Sequence, residues 1–277
     1  MRSFLFIPAN KPDFIKKSVG LKASNFIIDL EDAIYNSKVE QSVNNILDLK
    51  PSLDYYIRLS YNPEEKIEQF SYAEKLLKKG YGRFVIPKIK SQSDISSIES
   101  FLVNNLKATR KIDLIVLIEN PVALANLANI LQSDSVIGVG LGSHDYCDSI
   151  GMTHTMENLY WARMQILNTG KALGKFVIDI ASMNLSDKNS FIEECKDGHE
   201  KGFDAKFLIH PWQLNIFDSL RYYSKEELIQ ALHVKEYIDD IGGLNKFTIA
   251  NIGGVVIEKA HLKRINKILL NYGYETF

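Results

Sequence analysis

Short β-branched and aliphatic runs recur at 4–7, 26–29, 55–59, 83–87, 114–118, 136–139, 175–178 and 206–209. Phe26-Ile27-Ile28 and Leu114-Ile115-Val116-Leu117-Ile118 are apolar at every position, the pattern of parallel strands buried on both faces. Between the runs, apolar residues take helical spacing. One such stretch is 63–79, which carries Ile67, Phe70, Leu76 and Leu77 and stops at Gly80. The others are 91–106, 121–131 (opening on Pro121), 156–173 and 186–201. Eight strands alternating with helices predict an α/β fold, a (β/α)8 TIM barrel, over residues 1–220. Beyond the eighth strand the pattern changes. A capped amphipathic helix is predicted at 224–240, Gly242-Gly243 and Gly253-Gly254 mark loops around a short 247–252 segment, and a basic amphipathic helix follows at 259–270. Residues 221–277 exceed what a barrel needs and read as a C-terminal helical extension, a lid or an oligomer contact.

Composition narrows the classes. The chain has 277 residues, 45% apolar and 24% charged, which supplies a core and excludes intrinsic disorder. With 33 basic against 34 acidic residues, the net charge of -1 gives no excess to gather phosphate backbone, so no nucleic-acid partner is expected. Nowhere do ~18 apolar residues run together, so no membrane-spanning helix is expected. The apolar run at 4–8 is too short for a secretory leader, and two cysteines, Cys147 and Cys195, are too few for a disulfide framework. Both point to a cytoplasmic protein.

Polar and charged residues fall just past one strand end after another: Asp29, Glu31 and Asp32, then Arg58, Lys88, Glu119, Asp145, Asp179 and His210. In a barrel of this kind those ends converge on the face that carries the chemistry. Glu119 and Asp145 end consecutive strands. Two carboxylates are hard oxygen ligands suited to Mg2+ with several waters retained. Arg58 offers a planar fork for a substrate carboxylate. An ion that holds an oxyanion while a guanidinium holds an acid is what enolate chemistry needs. Asp29, Glu31 and Asp32 are placed to orient water around the ion.

Two other signals lose to simpler readings. Gly138-Val139-Gly140-Leu141-Gly142-Ser143 fails as a dinucleotide fingerprint, because its third glycine would fall on Ser143. It reads instead as a tight turn that aims Asp145. His144 with Cys147 and Cys195 with His199 do not build a zinc site, since the second pair lies on a predicted outer helix and Cys147 suits packing.

The motifs resemble one family in order and over nearly the whole chain. Arg2-Ser3-Phe4-Leu5-Phe6-Ile7-Pro8, with Ile28-Asp29-Leu30-Glu31-Asp32 and Lys17 between, is similar to the opening of the citrate lyase β-subunit-like family, within the HpcH/HpaI aldolase/citrate lyase superfamily. Ile57-Arg58-Leu59, Ile86-Pro87-Lys88, Leu117-Ile118-Glu119 and Gly142-Ser143-His144-Asp145 follow in the family's order. So does Gly202-Phe203-Asp204-Ala205-Lys206 with Ile209-His210-Pro211. The chain departs at His144, Asn120 and Ala205, where the family usually has an acid or Asn, Thr or Ser, and Gly.

The resemblance implies a homotrimeric barrel with Mg2+ on Glu119 and Asp145. It implies carbon–carbon lyase or synthase activity on a carboxylate-bearing acyl thioester, a citryl-, malyl- or citramalyl-type substrate on coenzyme A or an acyl carrier. Arg58, Lys17, Lys88 and His210 would then contact substrate. Gly254-Val255-Val256-Ile257-Glu258 aligns with a lid segment whose carboxylate reaches the neighbouring subunit's site, so Glu258 stands as its acid/base. Two alternatives stay open: an aldolase on a free 2-keto acid, and a non-catalytic barrel subunit in an assembly.

Overall fold

The computed structural model describes residues 1–31, 38–52, 54–61, 71–104 and 111–277. Asp32, the 63–70 part of the predicted 63–79 helix and the 105–106 end of the predicted 91–106 helix lie outside them. Two compact units form, Met1–Asp218 and Ser219–Phe277.

The first unit is a closed barrel of eight parallel strands in sequence order, with β1 pairing β8. The strands are β1 (Arg2–Pro8), β2 (Asn25–Asp29), β3 (Tyr55–Arg58), β4 (Arg83–Ile86), β5 (Asp113–Ile118), β6 (Val136–Leu141), β7 (Phe176–Asp179) and β8 (Ala205–Leu208). The predicted α/β TIM barrel is therefore the fold. Around it run α1 (Pro12–Ser18), α2 (Val39–Leu47), α3 (Ser71–Lys79), α4 (Gln92–Asn104), α5 (Pro121–Ala125), α6 (Leu127–Ile130), α7 (Ser143–Ile150), α8 (Met156–Ala172), α9 (Lys188–Lys201) and α10 (Pro211–Ser219).

Side chains alternate along each strand, so every second residue enters the barrel. Phe4, Ile27, Tyr56, Val85, Ile115, Leu117, Ile178 and Phe207 fill it. On β6 the inward positions are glycines. A Cβ on Gly140 would stand 2.5 Å from the Phe207 ring, and one on Gly138 3.0 Å from the Phe176 carbonyl oxygen and 3.4 Å from Ile115. The 138–142 run is thus mostly strand, cleared for its neighbours, and not the expected tight turn; α7 begins directly after Gly142.

The same alternation corrects Asp179. It follows the inward Ile178, so its side chain turns outward into the helix layer and is fully buried there. Arg163 of α8 donates to it through Nε and Nη2, both at 2.9 Å, and Lys206 of β8 lies 3.9 Å away. Arg163 also pairs with Asp197 of α9 at 2.9 Å, and Asp197 in turn with Lys201. Gly198 lets α9 approach, because any Cβ there would collide with the Asp179 carboxylate. Burial pushes the Cys195 thiol in this layer up to about 12, so it stays a neutral packing group.

The second unit packs α11 (Lys225–Asp240), a two-stranded antiparallel sheet of β9 (Ile249–Ile252) and β10 (Val255–Glu258), and α12 (Lys259–Asn271). Ser224 caps α11 in a capping box with Glu227. Gly253 and Gly254 join the strands with φ of 62° and 82°, the two left-handed positions a tight hairpin turn demands. This hairpin replaces the single short segment expected at 247–252. Val234, Ile238, Phe247, Ile257, Ile265 and Leu269 form the unit's own core. Among the described residues, no helix is long and apolar enough to cross a membrane.

Candidate active site

The carboxyl ends of the strands enclose a cavity of about 340 Å3. Asp29, Arg58, Glu119, Ser143, His144 and Asp145 form its polar side. Phe6, Leu117, Leu141, Ala181, Met183 and Phe207 form its apolar side. Four residues singled out in the sequence, Asp29, Arg58, Glu119 and Asp145, therefore meet in one place.

Register explains the first contact. Asp29 and Arg58 are Cα partners on β2 and β3, and each lies two residues after an inward position, Ile27 and Tyr56, so both side chains point inward. Arg58 donates from Nε to Asp29 Oδ1 and from Nη2 to Asp29 Oδ2, each at 2.7 Å, and its Nη1 pairs with Glu31 at 3.0 Å. Its guanidinium carbon lies 5.2 Å from the centre of the Phe6 ring. Asp29 and Glu31, expected to orient water around an ion, thus face Arg58 and fix its orientation. The Glu31 backbone N–H also donates to Asp29 Oδ1 at 3.0 Å.

Lys88 links this cluster to Glu119. Its Nζ pairs with Glu31 at 2.9 Å, and its backbone N–H donates to Glu119 Oε2 at 2.7 Å. Lys88 has φ 56°, the one left-handed non-glycine position among the described residues. Burial pushes the Glu119 carboxyl up to about 8, and the nearby Glu31 and Asp145 charges push the same way, against the Lys88 N–H and Arg58. A Cβ on Gly142 would sit 2.6 Å from Glu119 Oε1, so only glycine leaves the carboxylate its place. Asn120 then caps α5, accepting the Ala123 N–H at 2.8 Å, the duty Ser or Thr also performs.

Asp145 enters from the first turn of α7, exposed to the cavity. Beside it His144 stacks on His154, ring centres 3.9 Å apart and planes 8° from parallel, and His154 Nε2 shares a 2.9 Å hydrogen bond with Ser143 Oγ. Burial, with the His144 ring beside it, lowers the His154 pKa and so disfavours its protonated form. Nothing in the ten-residue spacing of the two histidines announced this pair.

Two of the remaining candidates, Lys17 and His210, do not line the cavity. Lys17 is exposed on α1. His210 accepts the Trp212 backbone N–H on Nδ1 at 3.2 Å and so ends β8 by starting α10; the cavity is lined by its neighbour Ile209. Glu258 belongs to the second unit, where its side chain and His261 cap α12 reciprocally. Among the described residues no group of three or more His, Cys, Asp or Glu side chains is arranged to hold a metal ion. Glu119 and Asp145 are two oxygen donors, and an ion held by them would complete its shell from water and substrate.

The HpcH/HpaI aldolase/citrate lyase family model matches residues 2–211. The citrate lyase subunit beta of Leuconostoc mesenteroides subsp. cremoris is 23% identical over 97% of this chain and 92% of its own length. The (3S)-malyl-CoA thioesterase of Cereibacter sphaeroides is 24% identical over 94% of this chain and 90% of its own. The structure of CitE from Mycobacterium tuberculosis in complex with magnesium, acetoacetate and coenzyme A superposes with a TM-score of 0.81 at 22% identity, covering 98% of both chains. With its barrel matched almost end to end, the chain belongs to the HpcH/HpaI aldolase/citrate lyase family.

Proposed function

We propose that the protein is a Mg2+-dependent carbon–carbon lyase, or synthase in the reverse direction, acting on a carboxylate-bearing acyl thioester of the citryl-, malyl- or citramalyl-CoA kind. One observation carries the reading. Glu119 is a buried carboxylate whose charge is disfavoured by its surroundings, and it shares a cavity with Asp145 and with an arginine locked by two further acids. A site that concentrates destabilised negative charge fits a divalent cation. Its oxygen-only donors fit Mg2+ in particular.

Glu119 and Asp145 would hold the ion. When bound, it supplies a positive charge that stabilises negative charge developing beside a carbonyl. Arg58 binds the acid group of the substrate, and its orientation costs little on binding because Asp29 and Glu31 already hold it. Phe6, Leu117 and Phe207 exclude water from the inner end of the cavity, which strengthens each of these interactions. In this reading Glu258 from a neighbouring copy serves as acid/base, with residues 221–277 acting as lid and trimer contact. The magnesium, acetoacetate and coenzyme A named for the CitE complex are the ligand classes this reading assigns to the cavity.

The test is direct. Glu119→Ala should abolish Mg2+ binding and turnover together, and turnover persisting in excess chelator would overturn the metal role. Titration with acyl-CoA esters against pyruvate, glyoxylate and oxaloacetate separates a thioester lyase from an aldolase on free keto acids. An absence of turnover across both panels, with a stable hetero-complex recovered from cells, would mark a non-catalytic subunit.

A further inference from the structure

The stacked histidines lie at the cavity rim, and their support can be traced back to the barrel. Helix α7 is short and ends in a left-handed glycine, Gly151, after which Met152 N–H donates to the Cys147 carbonyl at 2.8 Å. The chain therefore reverses, and residue 154 returns to the helix's first turn. There His154 meets two residues at once: the Ser143 hydroxyl by hydrogen bond and the His144 ring by stacking.

His154 is itself anchored from the far side. Thr155 caps α8 by accepting the Asn158 N–H at 3.1 Å, and the Asn158 side chain donates to the Thr153 carbonyl at 2.9 Å. Both neighbours of His154 are thus tied to the first turn of a 17-residue helix that lies against β6 and β7. A ring held in this way is a fixed wall. His144, stacked on it, loses rotamer freedom before any ligand arrives.

His144 lines the cavity and is exposed to it, one residue before Asp145. Among the described residues neither of its ring nitrogens has a hydrogen-bond partner. One face of the ring is covered by His154, which leaves the ring edge, with one donor and one acceptor when neutral, for what occupies the cavity. On the polar side of the cavity it adds the nitrogens of its ring edge to the fixed guanidinium of Arg58.

We propose that His144 is a substrate-recognition residue that hydrogen-bonds a carbonyl or carboxylate oxygen of the bound 2-keto acid, and that His154 is its positioning residue. This rests on the reading of the cavity as a Mg2+ and keto-acid site.

Calorimetric titration of the full-length protein, first with Mg2+ alone and then with pyruvate or oxaloacetate at saturating Mg2+, tests it. His144→Phe keeps a ring for the stack and removes the nitrogens. It should leave Mg2+ affinity within about twofold and weaken keto-acid affinity about three- to tenfold, the scale of one hydrogen bond. His154→Ala should weaken keto-acid affinity about threefold, His154→Phe should recover most of that, and His154→Ala should add nothing measurable in a His144→Ala background. Should His144→Phe fold poorly, His144→Ala carries the same expectation, and the melting temperature of each variant reports folding separately. Unchanged keto-acid affinity in His144→Phe and His144→Ala, or a His154→Ala loss that persists at full size in the His144→Ala background, would overturn the proposal while the cavity reading stands. Wild-type protein that takes up neither Mg2+ nor keto acid would overturn the cavity reading, and this proposal with it.

Discussion

Arg58 and Asp29, register partners on adjacent barrel strands, are joined by two parallel 2.7 Å hydrogen bonds almost wholly removed from solvent. Paired charges of this kind stabilise little relative to apolar packing, but removing one partner strands the other. Asp29→Ala should therefore cost about 3 kcal/mol or more of unfolding free energy. Arg58→Lys should lose keto-acid affinity as well, since an ammonium cannot reproduce the two-toothed geometry. Urea unfolding curves with an unchanged slope and a lowered midpoint are the expected readout; midpoints matching wild type would show that Glu31 alone holds the guanidinium.

The raised pKa of Glu119 makes the metal-free protein's stability depend on pH in a definite sense. The group titrates near 4.5 when unfolded and about 8 when folded, so between those values the folded state binds the extra proton. Stability from this group is complete below about pH 4.5 and is lost as pH rises to about 8. At about 1.4 kcal/mol per unit, the loss is on the order of a few kcal/mol. Glu119→Gln should flatten that slope and stabilise the metal-free protein above pH 8. Mg2+ should flatten it for the wild type and leave Glu119→Gln unmoved. Thermal melting across pH 5–9 with and without Mg2+ checks all three.

The barrel was legible because its strands are apolar runs at a regular pitch, and the site because strand ends converge. What escaped the sequence was direction. Glu119 and Asp179 both end strands, yet Glu119 follows the inward Leu117 by two and Asp179 follows the inward Ile178 by one. One carboxylate opens on the cavity, and the other is sealed among α8 and α9 by Arg163. Only the register of each strand, fixed by the packing of the whole barrel, separates them. The glycines at 138–142 escaped for a related reason: a turn and a strand end cleared for Phe207 and Glu119 have the same composition.

Those glycines carry their own test. Gly142→Ala places a methyl against the Glu119 carboxylate and should displace it, costing about 1–3 kcal/mol and most of the Mg2+ affinity. Gly140→Ala collides with the Phe207 ring instead and should cost a similar amount of stability with a far smaller effect on the ion. Pairing Gly140→Ala with Phe207→Leu should restore part of that loss, whereas Gly142→Ala with Phe207→Leu should not recover. Denaturation midpoints and Mg2+ titration of the four variants separate a collision in the core from one at the site.

Lys88 performs two duties that substitution can divide. Its backbone holds φ 56° to aim an N–H at Glu119, and its side chain reaches Glu31. A non-glycine residue in that region carries a strain of about 1–2 kcal/mol, and glycine carries none. Lys88→Ala loses the ion pair and keeps the strain. Lys88→Gly loses the ion pair and releases it, so it should be about 1 kcal/mol more stable than Lys88→Ala. Both retain the N–H and should bind Mg2+ alike. Lys88→Pro has no N–H to give and cannot adopt this φ, so it should lose both stability and the ion. If Lys88→Ala proved as weak an Mg2+ binder as Lys88→Pro, the side chain, acting through Glu31 and Arg58, would be what positions Glu119, and the backbone bond would be secondary.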